Sequence, residues 1–333
     1  MSALFGRTAA VLGLGRMGQN HLESYRMGGA RVIAASDIRP ETQEPFESAH
    51  PEARWYEDWR ELLAKETPDL LSIVTNGPSH AEMVIAAAQA SIPVIMCEKP
   101  MATSIEEAEA MLDACKKSGS RLYINFTLRA FPAFQQLIRY ASDGTIGEVR
   151  LVSVFIGGAR GLGCVGSHYV DMMRLLIKSE PVSIHGRLDR TGTPNPRGEQ
   201  FRDPGGVAVY EFENGARGIL EMFEDYSLPP YLVVVGTKGR ITADIAQNRW
   251  QLEVYADKEW SYPSFLVDTP PTLAEGTLAM IVDAAHDGTM AATGPDGLTA
   301  LHMILGIHAA DSADRSISLP LQADEKKIIV PMT

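Results

Sequence analysis

Cysteine is scarce in this chain. Its 333 residues include three, Cys97, Cys115 and Cys164, an odd number with no CxxC pair. That pattern excludes a disulfide framework and a structural zinc site, so no metal is expected and a reducing cytoplasm is the expected location. Positive charge is also in short supply. Thirty basic side chains against 42 acidic ones leave a net charge of −12, which repels phosphate backbones and anionic membrane surfaces, so neither nucleic acid nor membrane is an expected partner. Long apolar runs are missing too. Ala9 to Leu14 is too short for a signal sequence or a membrane span and leads straight into glycines. What is there, 45% hydrophobic and 22% charged residues, is the composition of an ordinary globular protein, and the length suits two domains rather than one core.

The first third alternates strands and helices. Thr8 to Gly13 reads as a buried strand ending in a glycine turn, Met17 to Met27 as a helix stopped by Gly28-Gly29, and Arg31 to Ala35 as a second strand closed by Ser36-Asp37. Leu70 to Thr75, a helix over His80 to Ala90, and Val94 to Cys97 repeat the unit. A capping box at Ser104 and Glu107 opens the next helix, whose stripe Ala108, Met111, Leu112 and Cys115 makes Cys115 a core residue. This alternation predicts an α/β fold with an N-terminal Rossmann domain, a doubly wound parallel sheet over residues 1–125. After about residue 126 long strands outnumber helices, and turns at Glu213-Asn214-Gly215 and Thr237-Lys238-Gly239 join strands as hairpins. Residues 126–333 therefore read as a C-terminal α/β domain with a large open, mainly antiparallel sheet, interrupted by a long Gly-, Pro- and Arg-rich loop from Arg187 to Gly206.

Two short motifs carry chemistry. In Gly13-Leu14-Gly15-Arg16-Met17-Gly18 the first glycine permits the tight turn, the second lets backbone approach a pyrophosphate, and the third lets helix pack on strand. Asp37 follows Gly18 by nineteen residues, near the offset of about twenty at which an acidic side chain meets an adenosine ribose. Its charge favours NAD, while Arg39 keeps NADP possible. The second motif is Glu98-Lys99-Pro100. An isolated Lys-Pro is usually a solvated turn, but Lys99 ends the fourth strand, where an open α/β sheet faces its ligand crevice. A lysine there can share a proton with a substrate hydroxyl while hydride moves to nicotinamide.

Thr75, His80, and Ile92 through Pro100 together resemble the glucose-fructose oxidoreductase/inositol dehydrogenase (Gfo/Idh/MocA) superfamily. The resemblance continues through Asn125-Phe126-Thr127-Leu128-Arg129, Gly144 to Val149, Phe212 to Gly215 and Ser312. It implies bound NAD(H) or NADP(H), redox chemistry on a secondary hydroxyl of a sugar, cyclitol or sugar derivative, and a homodimer or homotetramer. It makes Lys99 the catalytic lysine and His168 the histidine set against the substrate hydroxyl. The cofactor set that follows is Gly13, Gly15, Arg16, Met17, Gly18, Asp37, Arg39, Thr75, Asn76, His80, Glu98, Lys99 and Pro100.

Departures from the family pattern matter. Thr75-Asn76-Gly77 stands where members have Thr-Pro-Asn, and the Asp-x-Gly-x-His element reads Cys164-Val165-Gly166-Ser167-His168. A cysteine offers no fixed carboxylate, and Asp171, three residues past His168, is the candidate replacement, although it could equally only orient the histidine. Cys164, His168 and Asp171 are expected on one helix face, opposite Tyr169, Met172, Met173 and Leu176. The substrate side is expected to include Lys99, Arg129, Arg160, Cys164 and His168, with arginines at 187, 190, 197 and 202 suggesting an anionic sugar. Two other functions fit the same motifs: a glycoside-cleaving enzyme using transient oxidation by tightly held NAD, and a non-catalytic dinucleotide or sugar sensor.

Overall fold

A computed structural model describes residues 3–158, 161–192, 195, 198–265 and 270–332. In chain order the elements are β1 (Thr8–Leu12), α1 (Arg16–Gly28), β2 (Arg31–Ser36), α2 (Gln43–Ala49), β3 (Arg54–Tyr56), α3 (Trp59–Lys65), β4 (Leu70–Ile73), α4 (Gly77–Gln89), β5 (Val94–Cys97), α5 (Ile105–Ser118) and β6 (Arg121–Ile124). There follow α6 (Pro132–Ser142), β7 (Val149–Phe155), α7 (Ser167–Ile177), β8 (Pro181–Leu188), β9 (Gly206–Phe212), β10 (Arg217–Glu221), β11 (Tyr231–Gly236), β12 (Gly239–Asp244), β13 (Arg249–Ala256) and β14 (Glu259–Ser261). The chain closes with α8 (Leu273–Ala285), β15 (Ala292–Thr293), α9 (Gly294–Ala313) and β16 (Ile317–Ser318).

The chain forms two compact units, residues 1–130 with 271–298, and residues 131–270 with 299–333. In the first, strands run β3-β2-β1-β4-β5-β6, all parallel, and β15 pairs antiparallel with β6 at the edge. Strands β1, β4 and β5 read as nearly continuous apolar runs because helices cover both faces of a parallel sheet. The strand order reverses between β1 and β4, and in a doubly wound sheet ligands bind outside the carboxyl ends at such a switch point.

The sequence division at 125/126 assigned all later residues to the second domain, whereas 271–298 packs into the first. Met280, Ile281, Ala284 and Ala285 of α8 share a core with Leu22 and Tyr25 of α1, and β15 extends the sheet. The apolar face of α1 needs a cover, and α8 supplies it. α5 also differs from its expected start. Ser104 caps it by accepting the Glu107 N–H at 3.2 Å, but the Glu107 carboxylate turns to the Thr103 N–H and hydroxyl at 2.9 and 2.6 Å, so the reciprocal half of the box is absent there. The complete box is at Thr272 and Glu275, opening α8. Cys115 is buried on α5, as its stripe requires.

In the second unit nine strands run β14-β13-β12-β11-β7-β10-β9-β8-β16. Every pair is antiparallel except β7 with β10. The turns at 213–215 and 237–239 join β9 to β10 and β11 to β12. One face carries Val154, Tyr210, Leu220 and Val234 into the core, where the Tyr210 hydroxyl donates to the Met303 carbonyl of α9 at 3.2 Å. The other leaves Phe155, Val209 and Tyr231 exposed. Strand β8 takes in Arg187 and Leu188, so the connecting loop covers 189–205.

His308 of α9 is half-buried, and its Nε2, shielded from solvent, has no hydrogen-bond partner among the described residues. Burial lowers its pKa from 6.5 to about 4, against a weaker opposite pull from Asp311. Below about pH 6.5 the unfolded chain takes up a proton that the folded ring refuses, so stability should drop by about 3 kcal/mol as pH falls from 6.5 to 4. Denaturant midpoints at pH 7 and 4.5 check this. Wild type should lose more than His308→Leu over that interval, and equal losses would contradict the assignment.

Candidate active site

The glycine turn has the mechanics its spacing implied. A methyl on Gly13 would lie 2.6 Å from the Val74 carbonyl oxygen at the end of β4, and Gly13 also has φ +98°, which L side chains avoid. A methyl on Gly18 would lie 2.1 Å from the Gly13 carbonyl oxygen. Gly15 has open space on its Cβ side. It is the N-cap of α1, where no side chain caps the helix and no acidic residue occupies the first turn, so the amides of Arg16, Met17 and Gly18 begin the helix beside that space. A pyrophosphate fits there by charge and by room.

Asp37 follows β2, buried, and accepts the Leu14 N–H at 2.7 Å. Arg39 grips the same carboxylate through Nε and Nη2, both at 2.9 Å, and through its own N–H at 2.9 Å. Burial works against ionisation, but the Arg39 fork and the Leu14 amide outweigh it and hold the carboxyl below its usual range. Arg39 is therefore a partner of Asp37, where the sequence had kept it for a 2′-phosphate.

Lys99 follows β5 and is half-buried, on the same carboxyl edge as Gly15 and Asp37. Beneath it lies a buried polar chain. Glu98 Oε1 receives the His21 Nε2–H at 3.1 Å and the Asn125 amide at 2.7 Å, while Oε2 faces the Lys99 N–H at 3.3 Å. His21 Nδ1 meets the Ser72 hydroxyl at 2.8 Å, that hydroxyl meets Tyr25 Oη at 2.7 Å, and the Asn125 amide reaches Thr277 of α8 at 3.2 Å. An ionised Glu98 can only accept, so the ring proton sits on His21 Nε2, and the Ser72 hydroxyl donates to Nδ1 while accepting from Tyr25. Burial pushes the Glu98 carboxyl up, but His21, the Lys99 charge and Asn125 together bring it down to about 2. A fixed anion therefore anchors the backbone of the lysine turn.

His80 ties two turns together. Its Nδ1 lies 2.9 Å from the Pro100 carbonyl and its Nε2 3.1 Å from the Thr75 carbonyl, with the ring buried. Desolvation lowers its pKa, partly offset by those carbonyls. His80 thus braces the segments that carry Thr75 and Lys99. Thr75 is half-buried with its hydroxyl 2.7 Å from that of Ser79, and Asn76 is exposed.

In the second unit Cys164 lies in a π turn, Leu162–Gly166, and α7 begins at Ser167. The expected continuous α-helix from 164 is replaced by this wider turn, so the i, i+4 spacing that set Cys164 beside His168 does not hold across it. His168 is half-buried in the first turn of α7, and Asp171, Tyr169, Met172, Met173 and Leu176 are all buried. Lys99 and His168 thus belong to different units.

Among the described arginines of the set, three are held by acids. Arg129, with 3% of its side chain exposed, donates to the Met290 carbonyl and to Asp296 of its own unit. Arg187 pairs with Asp314, and Arg190 with Asp311 at 2.8 Å. Arg202 is exposed, and Arg160 and Arg197 lie outside the described residues. Sequence reasoning missed His21, Ser72 and Thr277. A signal existed for His21, which falls with Leu22 and Tyr25 on the sheet-facing side of α1, where a polar residue calls for a buried partner.

Among the described residues no helix is long and apolar enough to cross a membrane. Residues 7–126 match the sequence model described as an oxidoreductase family with an NAD-binding Rossmann fold, and residues 134–242 match the Gfo/Idh/MocA C-terminal domain. The chain is 25% identical to myo-inositol 2-dehydrogenase of Thermotoga maritima, over 94% of this chain and 98% of that protein. It is 30% identical to inositol 2-dehydrogenase of Pseudomonas fluorescens, over 69% and 71%. Levoglucosan dehydrogenase, solved with NADH and levoglucosan, shares the fold with a TM-score of 0.83 at 21% identity, covering 95% of this chain and all of that one. With both halves matched, the chain belongs to the Gfo/Idh/MocA family of oxidoreductases, and its first domain is an NAD-binding Rossmann fold.

Proposed function

We propose that the protein is an NAD-dependent dehydrogenase that oxidises a secondary hydroxyl of a sugar, a cyclitol or a close derivative. The observation that carries this reading is the position of Lys99, half-buried on the carboxyl edge shared by the Gly13–Gly18 turn and Asp37, with its backbone anchored by the ionised Glu98. Gly13, Gly15 and the first amides of α1 would hold the pyrophosphate, and Asp37 the adenosine ribose. When bound, NAD supplies the hydride acceptor. Lys99, in its uncharged amine form after giving a proton to solvent, would take the hydroxyl proton as the carbon gives up its hydride, and His168 would orient the oxygen. The inositol dehydrogenases among the relatives support a polyol as substrate. Arg129, Arg187 and Arg190 already hold carboxylates, which leaves less basic surface for an anionic sugar than six arginines would offer.

The test is absorbance of reduced nicotinamide across a panel of inositols, aldoses and anhydrosugars supplied with NAD. Time-dependent signal with at least one neutral polyol is expected. Silence across the panel, together with redox-neutral cleavage of a glycoside, would replace this reading with the glycosidase one.

A further inference from the structure

The long loop between β8 and β9 ends in a buried carboxylate that no sequence motif had marked. Asp203 is 7% exposed. Its Oδ1 accepts the Gly163 N–H at 2.7 Å and its Oδ2 accepts the Cys164 N–H at 2.9 Å. The next residue, Pro204, accepts the Leu162 N–H through its carbonyl at 3.1 Å. Three consecutive amides of the π turn are thus taken by two consecutive residues of the loop. Opposite them, the Gly161 carbonyl accepts from both Val165 and Gly166 at 3.0 and 3.3 Å. Gly161 has φ +72°, and a methyl there would lie 2.1 Å from Asp203 Oδ2. The backbone at 161 is therefore shaped around the carboxylate as well as around the turn.

A wide turn of this kind places one more residue per turn than an α-helix and recurs at functional sites. It persists only where its amides find acceptors, since backbone N–H groups at a helix start otherwise have none. Here an anion at the positive end of α7 provides two of them. Without that anion the segment can relax to α-helical spacing, and each residue of adjustment turns what it carries by about 100°.

We propose that Asp203 is a positioning residue for the substrate side of the site: by holding residues 162–166 in the wide turn it sets the direction from which Cys164 and His168 meet the substrate. This rests on the reading of His168 as the residue that orients the substrate hydroxyl.

The experiment is a double-mutant cycle of Asp203→Asn and His168→Ala in the full chain. The amide in D203N keeps the shape and one acceptor oxygen but loses the charge. We expect kcat to fall about tenfold to a hundredfold, as for a misplacement of about 1 Å, with NAD affinity unchanged by fluorescence titration. In the H168A background D203N should cost kcat nothing more, while its loss of thermal stability persists. Wild-type kcat in D203N, or kcat losses that multiply, would overturn the proposal. If H168A alone keeps full activity, the reading of His168 fails instead, and the two results are distinguishable. Should D203N not fold, Asp203→Ser, whose hydroxyl still accepts one amide, carries the same cycle.

Discussion

Replacing Lys99 with methionine should lower kcat by about a thousandfold, within the range expected for loss of a proton-transfer group, while NAD still binds within about twofold of its normal affinity. Methionine keeps the length of the side chain and removes its charge and proton. The turn should survive the exchange, because Glu98 keeps its hydrogen bonds from His21 and Asn125 and the Lys99 backbone N–H remains in place. Stopped assays with the best polyol from the panel, alongside fluorescence titration of NAD, give both quantities. Turnover near the wild-type level would remove Lys99 from the chemistry. Joint loss of turnover and cofactor binding would make it a structural residue.

Arg129→Met is expected to act on stability and to leave KM nearly unchanged. The guanidinium is buried and ties the segment after β6 to the Met290 carbonyl and Asp296. Removing one member of a buried pair typically costs 3–5 kcal/mol because the other charge stays behind. Asp296 keeps the Thr293 N–H and hydroxyl at 2.9 and 3.0 Å, so the lower end, about 3 kcal/mol, is expected. Denaturant unfolding and steady-state kinetics on one preparation separate the possibilities. A raised KM at unchanged stability would return Arg129 to the substrate side, where its sequence position had suggested it.

The glycine turn and the acid after β2 were legible because their signals are local. Gly13, Gly15 and Gly18 shape the backbone of one βαβ unit and Asp37 closes its second strand, and sequence spacing encodes that geometry directly. The buried chain beneath Lys99 was not legible as a whole, since it draws on Tyr25, Ser72, Glu98, Asn125 and Thr277 from five elements or their ends, and only folding brings them together. Arg187 and Arg190 misled for a similar reason. A run of arginines in a loop reads as an open anion site until the acids at and just past the end of a distant helix, Asp311 and Asp314, are seen to pair with it. The π turn at 162–166 was missed because apolar periodicity continues smoothly into α7, while the device that widens the turn sits about forty residues away at Asp203.

The return of α8 and β15 to the first unit bears on how the protein is made. A growing chain emerges from its N-terminus, yet the dinucleotide half lacks the cover for α1 and the Thr277 end of its buried network until residue 298 has been synthesised. The first unit is thus completed only after residues 131–270 of the second have been made, and during translation the surface of α1 that α8 covers stays open to chaperones until that cover emerges.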